Sequence, residues 1–153
     1  LDPGVPSKVP PEEGKPYPIL VSDVDHDGNE LRGIRLPDVA VPLATHTGWN
    51  VRHPDMGGPG QIIKQIGSTI PFATTKEQRE ASNDPRLSIE ERYSSKEDYL
   101  AQIRRAAQDL ADQRYLLTED IPRVIDHASQ RYDHFTHVEL ETQGLLQVPA
   151  GDG

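Results

Sequence analysis

The clearest periodicity in the chain lies in its second half. Tyr99, Ile103, Ala106 and Leu110 recur at helical spacing, with Leu100 and Ala107 beside them. Ser95 stands just before this stretch, so the pattern predicts a helix from about Lys96 to Gln113. A second stripe runs through Ile121, Val124, Ile125, Ala128 and Tyr132. Thr118 is its expected cap, and Glu119 and Asp120 place negative charge in the first turn. Pro122 is tolerable there because first-turn N–H groups have no intrahelical partner. The connector is short, so the two helices are expected to pack as an antiparallel pair. Residues 135–153 carry no strong pattern and read as a flexible tail.

The first half is irregular. Residues 1–18 are Pro-rich and read as extended chain, since proline is excluded from helix interiors and central strands. Ile19-Leu20-Val21 and Leu31 to Leu36 flank an Asp-Gly, the pattern of a β-hairpin. Val39 to Ala44 reads as an edge-type extended run because of Pro42. Residues 45–58 read as loop. Pro59 opens an expected short helix, with Ile62, Ile63 and Ile66 on one face and Gly67 as its stop. Farther on, Thr75 is a candidate helix cap, and Ser88 with Glu91 a candidate capping box. The expected fold is mixed α+β: an N-terminal hairpin and loops, then a helix pair, with residues 19–134 as the folded region.

Composition narrows the partners. Apolar residues are 34% of the 153, a lean core. The net charge of −9 disfavours nucleic acid and anionic membranes, which require a positive field. The absence of Cys excludes disulfide, thiolate and Cys-based metal chemistry. The opening Leu1-Asp2-Pro3-Gly4 gives the expectation of a fragment or processed product.

Candidate chemistry is sparse. Asp23, Asp25, Asp27 and Gly28 have the opening spacing of a calcium loop, but Ile34 stands where a bidentate Glu belongs. A hairpin turn with solvated acids is the preferred reading. His127, His134 and His137, with Asp126 and Asp133 nearby, have spacing compatible with zinc. A fraying helix end explains them as well, so no metal or other cofactor is assigned. Gly57-Gly58-Pro59-Gly60 lacks a Walker lysine and reads as a turn. A serine hydrolase needs a nucleophile on a strained turn, usually Gly-x-Ser-x-Gly, and no serine here fits. Gly67-Ser68 comes nearest, with Ile66 in place of the first Gly. No catalytic residue is therefore assigned. The loop containing Thr47, Trp49, Asn50 and Arg52 is the candidate substrate-binding wall, an aromatic surface with a few polar groups. His46 and His53 lie in the same loop and read as structural, with Trp49 expected to be an anchor, buried here or in a longer parent protein.

Gly33 to Thr45, followed by Thr47-Gly48-Trp49-Asn50, resembles a signature near the C-terminus of a family of bacterial alpha/beta-hydrolase-domain proteins. Gly67-Ser68, Ile70-Pro71-Phe72, Asp84-Pro85-Arg86, Ser88, Glu91-Arg92-Tyr93 and Leu116-Leu117 continue the resemblance in order. The family's proteins are longer, and His46 stands where they often carry an aromatic residue. The resemblance implies that the hydrolase sheet, the nucleophile and most or all of the triad lie upstream. The chain would then be the C-terminal part of an ester-type hydrolase, completing its fold. Its partners would be the remainder of the hydrolase domain and a small ester-like substrate. The alternatives are a non-catalytic interaction module and, behind it, a calcium-stabilised module.

Overall fold

The computed structural model describes residues 20–56 and 60–137. The expected Pro-rich segment, the Gly57-Gly58-Pro59 turn and the tail beyond His137 lie outside them. The described chain is a mixed α+β structure: α1 (Pro37–Ala40), β1 (Ala44–Val51), β2 (Ile62–Pro71), α2 (Lys76–Ser82), α3 (Ile89–Arg92), α4 (Lys96–Asp112) and α5 (Ile121–His137).

The helix pair forms as the periodicity predicts. The Ser95 hydroxyl accepts the N–H of Asp98 and starts α4. Tyr99, Ile103, Ala107 and Leu110 of α4 are buried. Ile121 and Ala128 of α5 are buried as well, and Val124, Ile125 and Tyr132 pack against the core. The start of α4 meets the end of α5, where Lys96 Nζ lies 2.7 Å from Asp133 Oδ1. Tyr99 stacks at 5.3 Å on Tyr132, so the pair is antiparallel. Thr118 is not the cap: Thr118–Asp120 form a 3-10 turn that leads directly into α5. The helix also runs through residues 135–137, which the sequence assigned to the tail. The Thr75–Gln78 and Ser88–Glu91 capping boxes both form, at the starts of α2 and α3.

Two elements differ from expectation. Residues 44–51 are a strand rather than a loop, and 62–71 are a strand rather than a helix. They pair antiparallel as a two-stranded ribbon, from Ala44↔Pro71 at the base to Val51↔Ile62 at the far end. The Ile62, Ile63, Ile66 spacing imitates a helix face, but isoleucine is β-branched and favours the pleated surface. Pairing with β1 gives those backbone groups partners that no local pattern reveals. Residues 37–40, of which Val39 and Ala40 belong to the expected extended run, form one helical turn, with Pro37 at its start and the Val41 N–H on the Pro37 carbonyl.

The expected N-terminal hairpin reduces to one bridge, Val24↔Glu30, around a tight turn. The turn is inverted relative to its sequence pattern. Leu20, Val21, Leu31, Ile34 and Leu36 are exposed, whereas Asp27 and Asn29 are buried. Those polar groups are satisfied by tertiary partners, as burial requires. Asn29 Nδ2 donates to the Ala44 carbonyl at 3.1 Å, and Asn29 Oδ1 accepts the His46 N–H at 2.8 Å. One side chain thereby covers the outer edge of β1. Gly28 has φ +78°, and a Cβ there would lie 2.9 Å from Thr45 Cγ2, so glycine is required on both counts.

Asp27 pairs with both terminal nitrogens of Arg92. The Arg92 guanidinium lies 4.2 Å from the centre of the buried Phe72 ring, and that of Arg86 lies 5.1 Å from it. Arg86 also binds Asp84, Thr45 Oγ1 at 2.8 Å and the Ile70 carbonyl at 3.1 Å. Thr45 in turn donates to the Asp27 carbonyl. This polar cluster joins the N-terminal turn, both ribbon strands and α3. It borders the apolar core of Val41, Leu43, Phe72, Ile89, Tyr93, Tyr99, Ile103 and Ala128.

Arg92→Ala would leave Asp27, 4% exposed, as a buried charge with only the exposed His26 imidazole beside it, at 3.4 Å. The expected loss is about 3–5 kcal/mol in urea unfolding. A loss below about 1 kcal/mol, the size of an exposed pair, would show that the cluster does not hold the fold together.

Candidate functional site

The four candidate binding residues all lie on or just beyond β1, but each has a local task. Thr47 Oγ1 accepts the Ser68 N–H at 3.0 Å and donates to the Trp49 carbonyl. This stabilises an irregularity: between the pairs Thr47↔Ser68 and Trp49↔Lys64, β1 has Gly48 alone and β2 has residues 65–67. A Cβ on Gly67 would lie 2.2 Å from the Thr47 carbonyl oxygen, so only glycine permits the strands to approach here. Gly67 is thus a contact point of the ribbon, not a helix stop. Trp49 is half-buried rather than enclosed. Asn50 Oδ1 accepts the Val51 N–H at 2.7 Å, and the exposed Arg52 donates its N–H to the Gln61 carbonyl at 2.9 Å. The four residues follow one another along the ribbon.

His46 is half-buried on β1, with Nδ1 3.4 Å from Thr69 Oγ1 on the paired strand. Burial pushes its pKa below the ordinary value; Asp38 pulls it up and Arg131 pushes it down further. A neutral imidazole is a competent base, but a base needs a nucleophile to act on. Among the described residues no serine hydroxyl is hydrogen-bonded to a histidine. Ser88 donates to Glu91 Oε2 at 2.8 Å, Ser82 to the Gln78 carbonyl at 2.9 Å and Ser94 to Asp98 at 3.2 Å. His53 is exposed beside Asp55.

The aspartate loop is not a set of solvated acids. Asp25 Oδ1 accepts the N–H groups of Asp27 and Asn29 at 3.0 and 2.9 Å, and its Oδ2 accepts from Arg35 at 2.7 Å. Asp27 is committed to Arg92. A cation would have to displace two guanidiniums. Among the described residues no group of three His, Asp or Glu side chains is placed to hold a metal. His127 and His134 line a surface depression of about 430 Å³ with Asp38, Gln130 and Arg131. His137 faces the Asp133 carbonyl instead.

Sequence reasoning missed the residues that organise this region: Asn29, Thr45, Phe72, Asp84, Arg86 and Arg92. Several lie in the segments that carry the family resemblance, but nothing local names their partners. The model of the alpha/beta hydrolase domain family matches residues 5–126, and the chain belongs to that family. Neither a curated protein nor a solved structure matches it.

Two outcomes follow from these electrostatics. Calorimetry with calcium should show no binding tighter than about millimolar; a micromolar site would mean that Arg35 and Arg92 yield the loop to a cation. The second concerns acid. The N–H and hydroxyl of Ser88, then Arg79, hold Glu91 at about 2, below its ordinary 4.5. Burial works to raise Asp25 and Asp84, but their hydrogen bonds outweigh it and both are lowered. Carboxylates depressed by folding contribute stability above their unfolded values and lose it as pH falls through the folded ones. The melting temperature should therefore fall as pH drops from about 4.5 toward 2. Glu91→Gln should flatten part of that fall, and an unchanged acid profile would remove Glu91 from the account.

Proposed function

We propose that this chain is the C-terminal part of a longer, bacterial-type alpha/beta hydrolase of esters, and that the remainder of that domain supplies the nucleophile. The family match over residues 5–126 carries this reading. It is supported by the chain's own chemistry. No serine has the elbow sequence. The hydroxyls of Ser82, Ser88 and Ser94 are spent around helix ends. The reaction would be acyl transfer: a serine attacks the ester carbonyl, a histidine takes its proton, and N–H donors stabilise the oxyanion. In this reading the chain completes the fold. Its ribbon offers Thr47, Trp49, Asn50 and Arg52 as part of the pocket wall for a small ester-like substrate. The half-exposed indole would be the apolar surface, and the ribbon end the polar one. The calcium-stabilised alternative loses support, because Asp25 and Asp27 are already paired with Arg35 and Arg92.

The test is turnover of a short-chain p-nitrophenyl ester by this chain and by the full-length parent. The parent should turn over and the chain alone should not. Trp49→Ala in the parent should raise KM more than it lowers kcat, as loss of ground-state contact does. Turnover by the chain alone, abolished by Ser68→Ala or His46→Ala, would place a catalytic centre here and overturn the reading.

A further inference from the structure

One face of α5 carries His127, Arg131 and His134 at i, i+4 and i+7, so the three side chains stack along a single stripe. With Gln130 and Asp38 they line the depression of about 430 Å³. A second, narrower slot of about 130 Å³ adjoins it and shares Asp38, His127 and Arg131. Its other walls are apolar or aromatic: Leu36, Pro37, Leu110, Tyr115, Leu116 and Val124. Leu36 and Tyr115 are 57% and 58% exposed, so part of this apolar surface has no covering among the described residues. The two hollows form one amphiphilic groove where α1, the end of α4 and α5 meet.

We propose that this groove binds a short aliphatic monocarboxylate, its head on Arg131 and its tail in the slot. Arg131 donates one hydrogen bond to Asp38 Oδ1. A guanidinium carries five N–H donors in a planar fork, so an edge remains for a second carboxylate. His127 and His134, one turn to either side, add ring N–H donors. Asp38 offsets part of the positive charge, which suits a single negative charge better than a phosphate dianion. The slot, about 130 Å³ and walled largely by apolar side chains, offers the tail an apolar seat. The inference does not depend on the reaction proposed above.

Amide chemical-shift titration of the 153-residue chain tests it, with hexanoate as probe and acetate, hexanol and inorganic phosphate as comparisons. Hexanoate should shift the amides around Leu116, His127 and Arg131 saturably. Acetate, which lacks the tail, and hexanol, which lacks the charge, should bind at least about tenfold more weakly. Phosphate should be weaker as well. His134→Ala leaves the Asp38–Arg131 pair intact, so it should fold normally and still weaken hexanoate severalfold. Arg131→Lys keeps a cation near Asp38 but loses the fork, and should weaken it more. Hexanoate no stronger than acetate, shifts centred elsewhere, or unchanged binding in both variants would overturn the proposal.

Discussion

The buried pair between Asp27 and Arg92 is the constraint on which the rest of the structure depends. Asp27 is 4% exposed and Arg92 10%, so neither can fall back on water. A charge so placed must be met by an opposite charge in good geometry or the fold loses several kcal/mol, about 3–5. Arg92 comes from α3, far along the chain, and it arrives stacked on Phe72 at the end of the ribbon. One interaction therefore fixes three things: the N-terminal turn, the ribbon base and the segment before α4. Arg86 repeats the pattern from the other end of that segment, meeting Phe72, Thr45 and the Ile70 carbonyl together.

This anchoring explains how a two-stranded ribbon persists in so lean a core. An isolated hairpin in water is marginal. Here both strands are tied down at the base, β1 by the Asn29 amide and β2 by the Arg86 guanidinium on the Ile70 and Pro71 carbonyls. Past the Thr47–Gly67 irregularity the cross-strand pairing continues to Val51↔Ile62, and Val51, Met56 and Ile66 are exposed. The ribbon is thus pinned at its base by these side chains. The residues proposed to meet substrate run outward from there, from Thr47, fully used in the strand geometry, to Arg52 past the last pair.

The helix pair was legible in the sequence because its determinants are local. Ser95 caps α4, and the apolar stripes of α4 and α5 follow from a 3.6-residue period that any window reveals. The capping boxes at Thr75 and Ser88 were legible for the same reason, since each spans only four residues. The lack of a nucleophile elbow, the acidic charge and the absence of Cys are likewise properties of the string. So is the family, through the segments from Gly33 onward.

What tertiary structure decided is the part with long-range partners. Ile62, Ile63 and Ile66 fit a helix until β1 provides the pairing. Asp25 and Asp27 look solvent-facing until Arg35 and Arg92 reach them. Asp38 and Arg131 meet only because α1 lies where α5 passes. In each case the sequence supplies the donors, acceptors and charges, but an ion pair or a strand ladder has no signature at one end alone. Its energy depends on desolvation and on a partner dozens of residues away, and only the folded chain brings the two within reach.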